Sequence, residues 1–134
     1  MCASFFDWIA SSLGLSSNKM SIATYEEVLD LPNHPEKLLI DVRGVDEVKE
    51  TGAIPTSINI PLDQVERAFA PETTTGEFEQ LYGVPKPAFD RYIIMSCRTG
   101  RRSQMALDTI TALGYTNARN YKGSWTEWAA KQGK

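Results

Sequence analysis

The chain has 134 residues, 42% hydrophobic and 23% charged, which fits one ordinary globular domain large enough to fold without a disulfide or structural metal. Its two cysteines, Cys2 and Cys97, form no disulfide framework and suit a reducing compartment, cytoplasmic or mitochondrial. A net charge of -3 argues against a general nucleic-acid binder, and no apolar run approaches the ~20 residues of a membrane span.

Residues 1–19 read as an N-terminal extension and 20–134 as a single domain. Within the extension, Phe5, Phe6, Trp8, Ile9, Leu13 and Leu15 surround one charge, Asp7, with no Arg. That is a poor match to a mitochondrial presequence or a secretory signal. It reads as a short helix that packs on its own domain or frays, with targeting, membrane-surface contact or partner docking as alternatives. Next, Thr24-Tyr-Glu-Glu27 is a capping box that predicts a helix from Tyr25 to about Leu31, ended by Pro32 and Pro35. Leu38-Leu-Ile-Asp41 predicts a buried strand, and Val45 to Thr51 a short polar helix. Gly52 and Pro55 turn the chain into a second strand, Ser57-Ile-Asn-Ile60, stopped by Pro61.

Leu62, Val65 and Phe69 lie at helical spacing within Leu62 to Ala70, and Glu77 to Tyr82 predicts a shorter helix. Tyr92-Ile-Ile-Met-Ser96 is the clearest strand, uncharged and rich in β-formers. A helix from Ser103 to Leu113 ends at Gly114, and Ala118 to Tyr121 predicts a last strand. Ser124-Trp-Thr-Glu127 is a second capping box, opening a C-terminal helix that carries Trp125 and Trp128 as packing residues. Strand–helix alternation along the whole length indicates an α/β domain with a largely parallel sheet.

Ligands of open parallel sheets bind beyond the carboxyl ends of the strands. Cys97 stands at such an end, directly ahead of a helix. Between them lies Arg98-Thr-Gly-Arg-Arg102, so three cations follow a cysteine in an acidic protein. A tight loop there turns backbone N–H groups inward, and the helix adds the positive end of its dipole. Both favour the thiolate over a thiol of free pKa ~8.5. Gly100 suits a mid-loop position needing positive φ or close approach, and Ser103 is placed to cap the helix. The bland alternative makes Cys97 a small buried hydrophobe and the arginines a solvated helix start. His34, in a Pro-bracketed loop far from these residues, reads as a surface group.

Cys97-Arg-Thr-Gly-Arg-Arg-Ser103 resembles the active-site loop of rhodanese-domain sulfurtransferases, near the Cys-x-x-Gly-x-Arg-Ser form of single-domain members. Asp41-Val-Arg43 resembles that family's Asp-Val-Arg, and Gly52-Ala-Ile-Pro-Thr-Ser-Ile-Asn-Ile-Pro61 its Gly-His-Ile-Pro-Gly-Ala-x-Asn-Ile-Pro. Leu113-Gly-Tyr-Thr-Asn-Ala118 and Tyr121-Lys-Gly-Ser-Trp-Thr-Glu-Trp128 are similar to its closing strand, turn and helix. The departures Ala53 for His and Thr56-Ser57 for Gly-Ala look structural, whereas Gly123-Ser124 for Gly-Gly is expected to narrow the pocket slightly.

The resemblance implies a three-layer domain with a five-stranded parallel sheet flanked by helices, expected as a monomer. It implies a double displacement in which Cys97 takes the outer sulfur of thiosulfate as a persulfide and passes it to cyanide or a thiol. No metal or organic cofactor is implied. Arg98, Thr99, Gly100, Arg101, Arg102 and Ser103 become the substrate-binding loop, with Arg102 expected to contribute most to the anion site. Asp41 and Arg43 become supporting residues, Asp41 bonding to the loop and Arg43 pairing with an acid such as Glu47. Two other readings stay open: a persulfide carrier serving a protein acceptor, and a phosphatase or arsenate reductase of the same superfamily. The latter enzymes use a Cys-x5-Arg loop, whereas the sixth residue after Cys97 is Ser103.

Overall fold

The computed structural model describes residues 21–134, so the predicted N-terminal extension lies outside the described residues. Five strands form one sheet: β1 (Ile22–Ala23), β2 (Lys37–Asp41), β3 (Ile58–Asn59), β4 (Tyr92–Ser96) and β5 (Ala118–Tyr121). Their order is β1-β5-β4-β2-β3, and every neighbouring pair is parallel. Six α-helices connect them: α1 (Tyr25–Leu29), α2 (Val45–Thr51), α3 (Leu62–Phe69), α4 (Thr75–Tyr82), α5 (Arg101–Ala112) and α6 (Ser124–Lys131).

The two-residue period of the central strands builds two cores, one on each face. Leu38 and Ile40 of β2 and Ile93 and Met95 of β4 pack with Val65 and Phe69 of α3, Phe78 of α4, and Ala106, Leu107 and Ile110 of α5. Leu39 and Ile94 point the other way, against Val28, Leu31, Trp125 and Trp128. With both faces covered, β2 and β4 are apolar without alternation, which is why they stood out in the sequence. All strands run the same way and Asp41 pairs with Ser96 in register, so Asp41 and Cys97 emerge at one sheet edge. The ladder runs one step further, through the Val42 N–H to the Ser96 carbonyl at 2.8 Å.

Several boundaries differ from expectation, each for a local reason. β1 is too short to carry a period and owes its place to pairing with β5. α1 stops at Leu29, and Leu31–Asn33 forms a 3-10 turn, because Pro32 disfavours the α conformation of the residue before it. α4 begins two residues before the predicted Glu77, since Thr74 and Glu77 make a reciprocal capping box. α5 begins at Arg101 rather than Ser103. The second capping box does not form: Gly123 takes the cap position and Ser124, at φ 53, is the first helical residue.

Candidate active site

Residues 97–100 form a tight loop between β4 and α5. At Gly100, φ is +92, and a Cβ there would sit 2.3 Å from the Lys122 carbonyl oxygen. Both facts demand glycine, and the conformation turns the Gly100 N–H onto Cys97 Sγ at 3.1 Å. The loop's outer side is pinned by α6. Its first amides, Trp125 and Thr126, donate to the carbonyls of Cys97 and Arg98 at 2.9 and 3.0 Å. On the inner side, Asn120 of β5 donates to the Gly100 carbonyl at 3.1 Å. The loop is therefore held from both sides before any ligand arrives.

Cys97 is 1% exposed and joins the apolar core, as the bland reading expected, yet its sulfur meets polar donors. Ser103 does not cap α5; lying within its first turn, it places Oγ 3.3 Å from Cys97 Sγ. The Ser124 hydroxyl accepts from the Cys97 N–H at 3.0 Å and donates to the Tyr121 carbonyl at 2.7 Å. Its one proton is thereby committed, so its 3.9 Å contact with Cys97 Sγ is not a donation in this arrangement. Burial, the largest single influence, pushes the Cys97 thiol up. The Ser103 hydroxyl and the backbone N–H groups of Ser103, Gly100 and Thr99 together outweigh it, and the pKa falls below its ordinary value.

The three arginines part company. Arg98 and Arg101 are exposed on the rim, and among the described residues neither makes an ion pair. Arg102 makes a bidentate pair with Glu47 of α2, at 2.7 and 2.9 Å. Glu47 also accepts from the Gly44 N–H at 3.0 Å. The Arg102 hydrogen bond, then that amide, hold its carboxyl down to about 2. Arg102 therefore straps α5 to α2, with its charge already matched.

Asp41 and Arg43 are 2% and 1% exposed, which excludes loop-end surface charges. The acid partner of Arg43 is Asp41 rather than Glu47, through Nε and Nη2, the latter at 2.8 Å. The guanidinium also donates to Thr51 and the Gly52 carbonyl, and stacks 4.9 Å from the Trp125 ring. Asp41 spends its carboxylate on the Arg43 side chain and backbone N–H, so its support of the cysteine loop runs through β2 and Trp125. His34 pairs with Glu36 and Asp30 at the surface, far from the loop in contacts as in sequence.

A buried thiol in an amide-lined loop at the carboxyl edge of a parallel sheet is the geometry on which known proteins can be compared. Residues 24–131 match the family model described as a rhodanese-like domain. This chain belongs to the rhodanese-like domain family. It is 47% identical over 112 residues to rhodanese domain-containing protein CG4456 of Drosophila melanogaster, covering 84% of this chain and 99% of that one. It is 38% identical to a human thiosulfate:glutathione sulfurtransferase, over 70% of this chain and 80% of the other. The human single-domain sulfurtransferase TSTD1 superposes with a TM-score of 0.76 at 32% identity, over 83% and 96% of the two chains.

Three residues of this rhodanese domain escaped the sequence reading. Ser124 carried a helix-capping signal, which concealed its bonds to the Cys97 loop. Glu47 was weighed as an acid for Arg43, and nothing in the spacing showed that Arg102 lay nearer. Asn120, a polar residue in a short strand, gave no signal at all.

Proposed function

We propose that this domain is a sulfurtransferase whose nucleophile is Cys97, with thiosulfate or a related sulfane donor as the first substrate. The observation that carries the reading is the buried thiol held below its ordinary pKa by donors from Ser103, Gly100 and Thr99. The Cys97 thiolate attacks the outer sulfur of thiosulfate. The S–S bond breaks and its electron pair leaves with sulfite, which yields a Cys97 persulfide. An acceptor thiolate or cyanide then attacks the terminal sulfur and returns the Cys97 thiolate. The inward N–H groups stabilise the anionic persulfide, and the unpaired Arg98 and Arg101 on the rim attract the dianionic donor. Arg102, matched by Glu47, positions the loop rather than supplying free charge, which revises its expected leading part in the anion site. Asp41 and Arg43 brace the same edge.

A thiol acceptor has independent support, because the human relative's name pairs thiosulfate with glutathione. Phosphoryl chemistry is disfavoured by the loop length, which puts Ser103 where a Cys-x5-Arg loop has its arginine. The test offers thiosulfate with cyanide, thiosulfate with a thiol, and an aryl phosphate in parallel. Sulfite release dependent on Cys97 is expected; turnover of the phosphate alone would overturn the reading. If sulfur loads but small acceptors do not discharge it, the carrier reading replaces the enzyme.

A further inference from the structure

Along the β4–β5 ladder the Ile93 N–H donates to the Asn117 carbonyl, with Ile93 beside Ala118 and Met95 beside Asn120. A parallel ladder repeats every two residues, so the rung after that of Met95 would join the Cys97 N–H to the Tyr121 carbonyl. That rung is not direct. Ser124 Oγ accepts from the Cys97 N–H at 3.0 Å and donates to the Tyr121 carbonyl at 2.7 Å, so one hydroxyl stands between the two partners. It holds β4 and β5 apart at the edge where the thiol emerges.

This hydroxyl sits on a strained backbone. Ser124 has φ 53, in the left-handed region that a residue with a Cβ rarely adopts. The other described non-glycine residue with positive φ is Thr56, which lies exposed in a turn. Ser124 is 0% exposed and opens α6. Its neighbour Gly123 has an ordinary φ of -65, so the glycine of this pair is not at the position whose backbone calls for one. Strain at a buried residue bonded to the nucleophile's own amide points to a task for the side chain.

We propose that Ser124 is a positioning residue for the thiol: its hydroxyl replaces a ladder rung and fixes the Cys97 backbone where the Gly100 N–H and Ser103 Oγ reach the sulfur. Its part in sulfur transfer rests on the sulfurtransferase reading above, whereas its hold on the thiol rests on geometry alone. Without the hydroxyl, the Cys97 N–H closes directly on the Tyr121 carbonyl, because buried donors and acceptors rarely stay unpaired. The Cys97 main chain then moves toward β5, and Sγ is drawn away from its donors, now 3.1 Å away at Gly100 and 3.3 Å away at Ser103. Fully buried, Ser124 acts through these bonds rather than by narrowing the pocket, the effect expected from the sequence.

Two variants remove the hydroxyl and differ in strain: Ser124→Gly relieves the positive φ, and Ser124→Ala keeps it. Alkylation rate against pH reads the thiol in each. Both inflections are expected about one unit above that of the wild type, as for the loss of one hydrogen bond to the thiolate. In denaturant unfolding, Ser124→Gly should be the more stable of the two. At a pH below all the inflections, loading by thiosulfate should slow about threefold in both. The thiolate fraction falls about tenfold there, and the greater nucleophilicity of the less acidic thiol returns part of the loss. An unmoved or lowered inflection in either variant overturns the proposal; a shift confined to one variant traces to the backbone at 124 and not to the hydroxyl. Wild-type loading is followed separately by mass spectrometry. Absence of loading with both inflections raised fails the sulfurtransferase reading and leaves the hold on the thiol standing, whereas loading with unmoved inflections fails the positioning alone.

Discussion

At Cys97, burial and hydrogen bonding act in opposite directions on one proton. Desolvation penalises the thiolate, while the Ser103 hydroxyl and three backbone N–H groups favour it and prevail. Alkylation rate against pH should therefore inflect below the ~8.5 of a free cysteine. Ser103→Ala, which deletes the nearest side-chain donor at 3.3 Å, should move that inflection upward; an unmoved profile would reassign the activation. The linkage has the same sign: a folded-state pKa below the unfolded one stabilises the fold most above about pH 8.5, and the gain is lost as pH falls through the folded value. Cys97 and its glycine were legible because the amides and cations around the sulfur lie close to it in sequence. Ser124, Asn120 and Glu47 reach the loop from other elements, so no local pattern announced them.

Between elements, the loop depends on one close approach and one ion-pair strap. Gly100→Ala meets both a φ of +92 and the Lys122 carbonyl at 2.3 Å. The change should cost at least about 2 kcal/mol in denaturant unfolding. It should also displace the N–H that bonds Cys97 Sγ, so thiol reactivity falls with stability; a neutral result would mean that the loop can relax. The strap is Glu47 to Arg102. With the Glu47 carboxyl held at about 2, its stabilisation is present above the unfolded carboxylate range and lost as pH falls toward 2. Both side chains are about a third exposed, at 34% and 36%, so solvent limits the strap to under about 1 kcal/mol. Glu47→Gln should flatten the acid limb of the stability curve by lowering neutral-pH stability by up to about 1 kcal/mol while converging on the wild type near pH 2. The same variant frees the Arg102 charge, so a lowered KM for thiosulfate with kcat held is expected in steady-state kinetics. Sequence periodicity found every helix here, but it placed the ends of α1, α4 and α5 a turn or less away, because caps and proline decide ends.

Across the molecule, four of the five strands were legible in the sequence, β2 and β4 from their apolar runs and β3 and β5 from the turns around them. The fifth, β1, was not: its two residues are strand only because β5 lies beside them. The fully buried β2 and β4 set the register that brings Asp41 and Cys97 to one edge, so the site's location follows from the sheet. Its chemistry follows from what that edge places around one sulfur. Intact-protein mass spectrometry after exposure to thiosulfate tests this most directly. The account predicts a gain of one sulfur atom, mapped to Cys97, absent from a folded Cys97→Ser variant and removed by added thiol. An unchanged mass, or sulfur retained in Cys97→Ser, would contradict it.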